Sequence, residues 1–121
     1  MIDKLNFSIG GFSEGYVFVE LKKSNIFYGR RICGAFEGNE LIAQPTVIDL
    51  KKFAQSLQTN GVWDWKKNYD NPEILDGTQW DLSLKQGNKI LECYGNNQYP
   101  EKFESFLQSI RDLIKDDTVE F

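Results

Sequence analysis

Asp64, Asp70, Glu73, Asp76 and Asp81 lie close together, dense enough to raise a paired-carboxylate hydrolase or a calcium loop. Neither pattern closes. The run Asp70-Asn71-Pro72-Glu73 lacks the alternating ligands, central glycine and terminal glutamate of an EF-hand loop, and a glycoside hydrolase of 121 residues would be unusually small. The same residues read more simply as an Asx-Pro turn at Asp70-Asn71-Pro72 and a turn or strand start at Asp76-Gly77. The chain has no histidine, which removes the usual general base near neutral pH, the commonest metal ligand and the orienting member of most nucleophilic triads. An enzyme would have to work through carboxylates such as Asp70, Glu73 and Asp76. No catalytic residue, metal site or cofactor is assigned.

Two cysteines, Cys33 and Cys93, each sit in a strand-like run without redox or zinc spacing, so both are expected as free buried thiols. Gly10, Gly11 and Gly15 are followed by no lysine and hydroxyl residue at phosphate-loop spacing, and hairpin turns account for them. The remaining constellation is aromatic: Trp63, Trp65, Tyr69, Trp80, Tyr94 and Tyr99. Large amphipathic rings serve both cores and contacts with proteins or sugars. Trp80 is assigned to the core. In an extended segment Trp63 and Trp65 share a parity, with Asp64 and Lys66 on the other, so one would cap the core and one would lie nearer the surface. Trp63, Asp64, Trp65, Tyr69 and Asp70 are the candidate binding residues.

The elements that must carry these side chains follow from periodicity. Leu5, Phe7 and Ile9 alternate with polar neighbours, and Tyr16 to Leu21 is a β-branched and aromatic run beyond a glycine-rich turn. A polar break at Lys22 to Asn25 precedes Ile26-Phe27-Tyr28, which predicts a second hairpin. Gly34 to Pro45 is open between a short strand at Leu41 to Ala43 and a loop. Thr46, with Asp49 three residues on, announces a helix bearing Leu50, Phe53, Ala54 and Leu57, and Asn60-Gly61 ends it. Thr78, Trp80, Leu82 and Leu84 alternate with polar residues, and a Gly87-Asn88 turn leads into Ile90 to Tyr94. Pro100 is placed at the first position of a second helix, whose stripe is Phe103, Phe106, Leu107, Ile110, Leu113 and Ile114. Asp116 and Asp117 suit a helix C-terminus badly, so the last residues should fray, with Phe121 packed back or loose.

The expectation is a single α+β domain over residues 1–121: an antiparallel sheet of four to six strands with two helices on one face, in a ββαββα order. Its core is drawn from Tyr16, Phe18, Leu50, Phe53, Leu57, Trp80, Leu82, Phe103, Phe106, Leu107 and Ile110.

The pattern W-x(5)-Y, D-G-T-x-W, G-x-N-x-Y-P-x-x-F-x-x-F is carried by Trp63, Tyr69, Asp76, Gly77, Thr78, Trp80, Gly95, Asn97, Tyr99, Pro100, Phe103 and Phe106. It resembles a recurrent C-terminal pattern in small uncharacterised bacterial proteins, especially of Firmicutes. The resemblance covers the second half of the chain, and the first half matches only in its strand-then-helix order. It implies an α+β single domain of a kind that includes antitoxins and immunity proteins, and it transfers no functional residue.

With 14 basic and 18 acidic residues the net charge is −4, which works against nonspecific binding to nucleic acid or anionic membranes and favours a basic partner. No stretch approaches the ~20 apolar residues of a membrane span, and no apolar run follows Met1, so a cytoplasmic location is expected. The leading expectation is a non-catalytic protein-interaction module, in its sharpest form a toxin-neutralising immunity protein with a basic toxin as partner. A small-molecule or carbohydrate module using Trp63, Trp65, Tyr69, Asn96 and Asn97 ranks second, and a carboxylate enzyme third. The oligomeric state is left open.

Overall fold

A computed structural model describes residues 2–11, 15–32, 35–70, 77–116, 119 and 121, with 31–32 and 35–42 described in their backbone alone. In chain order the elements are β1 (Lys4–Gly11), β2 (Gly15–Lys22), β3 (Asn25–Ile32), β4 (Ala35–Ala43), α1 (Val47–Thr59), a 3-10 turn at Val62–Asp64, β5 (Asn68–Asp70), β6 (Gln79–Gln86), β7 (Lys89–Asn96) and α2 (Phe103–Ile114). The class is α+β. All seven strands form one sheet in the order β4-β3-β2-β1-β6-β7-β5.

The sheet is mixed, where a purely antiparallel one was expected. Its six long strands pair antiparallel, while β5, three residues long, runs parallel to β7. The plan also differs from ββαββα, because four strands precede α1. Gly34 to Pro45 contributes one of them: β4 pairs along β3 from Ile26↔Ala43 to Ile32↔Ala35, with register shifts between Ile26 and Phe27 and between Gly29 and Arg31. Such irregularities are common at sheet edges, where an extra residue can leave the ladder. The β2–β3 hairpin turns through Lys23 (φ 52) and Ser24 (φ 64), positive angles at both central positions that match the twist of the flanking strands.

Leu5, Phe7 and Ile9 of β1 are buried and lie opposite Leu84, Leu82 and Trp80 of β6. On the other side they meet Leu21, Val19 and Val17 of β2. This register corrects the expectation for Tyr16 and Phe18. Both fall on the opposite parity from Val19 and Leu21 and are only half-buried. Side chains alternate along a strand, so once Val17, Val19 and Leu21 follow the buried residues of β1, their neighbours must face away.

α1 begins with the anticipated capping box. The Thr46 hydroxyl accepts from the Asp49 N–H at 3.1 Å, and the Asp49 carboxylate accepts from the Thr46 N–H at 2.9 Å. Thr46→Ala should lower stability by about 1 kcal/mol, read from urea unfolding midpoints. Hydrogen bonds from Thr46, the backbone one first, hold the Asp49 carboxyl below its ordinary value of 3.8, and nearby Lys115 adds to this. A carboxyl depressed in the folded state favours folding above its unfolded value, and that benefit is lost as pH falls through the folded value. Asp49→Asn should therefore flatten the stability–pH curve below 3.8; an unchanged acid limb would count against the box.

α2 starts later than expected. Glu101 and Lys102 form a turn, Lys102 in a left-handed conformation (φ 64), and the helix runs from Phe103. Its buried face carries Phe103, Phe106, Leu107, Ile110, Leu113 and Ile114, and the Phe106 ring meets Phe7 of β1 edge-on at 5.4 Å. Leu50, Phe53 and Leu57 of α1 belong to the same buried cluster. Beyond the helix the chain folds back: Arg111 Nε donates to the Val119 carbonyl at 2.8 Å, and the Phe121 ring packs 5.8 Å from Phe7. No described helix is long and apolar enough to cross a membrane.

Candidate functional site

The five candidate residues do not share one surface. Val62 to Asp64 form a 3-10 turn, so the extended parity assumed for Trp63 and Trp65 does not hold. Trp65 enters the core, 9% exposed, with its ring 5.4 Å from Phe106 and 6.2 Å from Trp80. Trp63 is half-buried, with Lys89 Nζ 5.7 Å from its ring, and Asp64 is exposed. Tyr69 packs 5.9 Å from Trp80, and its hydroxyl accepts from the Lys66 N–H at 2.9 Å. Asp70 follows Tyr69 on the edge strand and therefore points to the other face, where Asn96 Nδ2 donates to its Oδ1 at 3.3 Å. Of the acids considered for chemistry, Glu73 and Asp76 lie outside the described residues, as does Cys33. Among the described residues no group of three or more cysteines and acids could hold a metal ion.

The sheet face turned away from Trp80 carries a different assembly. Pairing places Tyr16, Gly10, Gln79, Asn96 and Asp70 in one cross-strand row, contributed in turn by β2, β1, β6, β7 and β5. At ~4.8 Å per strand that row spans roughly 19 Å. The adjacent row on the same face is Phe18, Ser8, Asp81, Tyr94 and Asn68. Gly10 and Ser8 are small, so β1 forms a hollow between the rings of β2 and the polar residues of β6. The Tyr16 hydroxyl reaches across Gly10 to donate to Gln79 Oε1 at 3.2 Å, and Ser8 Oγ donates to Asp81 Oδ2 at 2.6 Å. A side chain at position 10 would collide with the Gly15 carbonyl, so the hollow and the hairpin geometry have the same cause.

The resulting groove, about 330 Å³, is lined by Tyr16, Asp70, Gln79, Asp81, Tyr94 and Asn96. No Lys or Arg lines it among the described residues. Farther along β7 on the same face are Glu92 and Ile90, and Ile90 is 67% exposed and Tyr94 49%. Beneath this face Cys93 points inward, its thiol pushed up to about 12 by burial and, secondarily, by the Asp81 charge. It is protonated at neutral pH, and it is no nucleophile in that state.

Other clefts are bordered by described residues. One of about 400 Å³ lies between α1 and α2, walled by Asp49, Lys52, Gln55, Ser56 and Asp112. Another of about 470 Å³, bordered by Ile9, Tyr99, Phe103 and Leu107, also includes the chain's own Phe121. The open-face groove differs from both in drawing its side chains from four strands. Tyr16 and Gln79 were absent from the sequence-derived sites, Asn96 entered only in the small-molecule reading and Asp81 only among the acids weighed for chemistry. The polar alternation of Gln79 and Asp81 against Trp80 showed which face they share, while their neighbours are set only by long-range pairing. No family model matches the sequence, and no curated protein matches it.

Proposed function

We propose that this chain is a non-catalytic cytosolic protein-interaction module. In this reading both helices cover one face of the sheet, and the opposite face receives a basic protein partner. The observation that carries it is the pair Ile90 and Tyr94 on that opposite face, large apolar side chains 67% and 49% exposed. Aromatic and apolar anchors ringed by charge give affinity: the acids on the Tyr94 side, Asp70, Asp81 and Glu92, would steer a cationic partner and speed its encounter, while Lys85 stands across the ladder from Ile90. The net charge of −4 acts in the same sense. The sharpest form is neutralisation of a basic toxin, in line with the resemblance carried by Trp63, Tyr69, Trp80, Tyr99 and Phe103. Asp70 remains in the proposed contact surface, whereas buried Trp65 supports it from the core.

The test is co-expression with the product of the adjacent reading frame, scored by growth rescue and by calorimetry on the purified pair. Tyr94→Ala and Ile90→Asp should each weaken binding by about 30-fold, as hot-spot truncations near 2 kcal/mol do. Stability should stay within about 0.5 kcal/mol, because both side chains are exposed. Failure of the unaltered chain to bind or rescue would sink the toxin-neutralising form. Full affinity in both variants would show that the partner does not dock on the open face.

A further inference from the structure

We infer that the open-face groove is a receptor for an arginine side chain, a proposal that rests on the interaction reading above and names the chemistry of the partner group. The groove places one carboxylate, Asp81 of β6, between the strands that carry the Tyr16 and Tyr94 rings and a second, Asp70 of β5, on the far side of Tyr94, with the amides of Gln79 and Asn96 alongside. Each carboxylate is oriented by one neighbour, Asp81 by Ser8 and Asp70 by Asn96. A carboxylate offers about four lone-pair sites, so one such bond leaves capacity for an incoming donor. Among the described side chains no cation lines the groove; Arg31 of β3, described in its backbone alone, continues the row beyond Tyr16.

A planar cation with several N–H donors suits this arrangement better than any other side chain. A guanidinium can donate in a fork to a carboxylate and stack its face on a tyrosine ring, whereas an ammonium is a compact, strongly hydrated point charge. Cation–π attraction from Tyr16 or Tyr94 would add to the carboxylate contact. A volume of about 330 Å³ lies at the small end of ligand sites, which suits one long side chain rather than an extended ligand. The walls also come from separate strands, so the site exists only in the folded sheet. Asp81 and Gln79 are contributed by β6, Tyr94 and Asn96 by β7, Tyr16 by β2 and Asp70 by β5.

The test is an amide-resolved NMR titration of the full chain with N-acetyl-arginine amide, using the lysine and citrulline counterparts and methyl glucoside as comparison probes. Saturable shifts with a millimolar Kd are expected for the arginine probe, centred on Tyr16, Gln79, Asp81, Tyr94 and Asn96. The lysine probe should bind several-fold more weakly, and the neutral citrulline isostere should not shift these residues. Asp81→Asn and Asp70→Asn should each weaken arginine binding roughly tenfold. Their own spectra report whether the sheet is intact, and Tyr94→Ala provides a variant that changes no charge.

Equal binding of citrulline, preferential binding of the glucoside at these residues, shifts scattered over the acidic surface, or no saturation with arginine would each overturn the assignment. The two proposals fail separately. If Ile90→Asp abolishes partner binding while the arginine probe gives no response, the arginine receptor falls and the interaction module stands. If the arginine probe binds and no protein partner does, the interaction module falls and the receptor stands.

Discussion

Trp80→Ala should remove about 3–5 kcal/mol of stability, a large part of the ~5–15 kcal/mol that holds a typical domain together. Trp80 is 2% exposed and stands where the strands of the second half meet α2, its ring 4.9 Å from Phe103, 5.9 Å from Tyr69 and 6.2 Å from Trp65. Its indole N–H also donates to the Gln98 carbonyl at 3.0 Å, pinning the segment between β7 and α2. Alanine would leave a cavity against three rings and strand that carbonyl. Urea unfolding should show a lower midpoint at unchanged slope, with Trp80→Phe falling between the two. A loss under about 1 kcal/mol would show that the surrounding rings collapse into the space, contrary to this packing.

Gly95→Ala should be nearly as damaging for the opposite reason. A methyl group on Gly95 would run into the Trp80 indole and the Gln98 carbonyl, so the cost should reach the upper end of the ~1–3 kcal/mol typical of overpacking. The two substitutions are expected to be coupled. With Trp80 already alanine, the added methyl meets only the carbonyl, so the penalty at Gly95 should shrink by about 1 kcal/mol or more in a double-mutant cycle. Additive penalties would mean that the backbone at Gln98, and not the indole, sets the close approach.

The parts of this fold that were legible are those whose determinants are local. Thr46 and Asp49 form their box from neighbouring residues, the Trp80-Leu82-Leu84 alternation needs only one strand, and the α2 stripe needs one helix. β4 was half-hidden because its centre, Glu37-Gly38-Asn39-Glu40, has the composition of a loop, and pairing with β3 overrides that preference. β5 was unreadable: three residues joined to a strand that begins beyond position 88 leave no periodic trace. Tyr16-Val17-Phe18-Val19 is apolar on both parities, so the run itself could not choose its buried side. Leu5, Phe7 and Ile9 make that choice from the next strand. Trp63 and Trp65 were paired on an assumed extended backbone that a 3-10 turn replaces. The groove was invisible for a related reason: its six side chains become neighbours only after β2, β6, β7 and β5 have taken their places in the sheet.

The central position of β1 also has a consequence during synthesis. On one side it pairs with β2 through a short connection, and on the other Leu5 waits for Leu84 of β6. As the chain leaves the ribosome, the first four strands can zip together from local contacts, while such a distant seam closes late because its loop entropy must be met first. Until β6 arrives, β1 is a raw edge and Leu5, Phe7 and Ile9 lack their cover. A half-made chain therefore offers a strand template and an apolar face to any other copy nearby. The finished protein retires that edge to the middle of its sheet, so the strand most protected in the native state is the one most hazardous in the nascent chain.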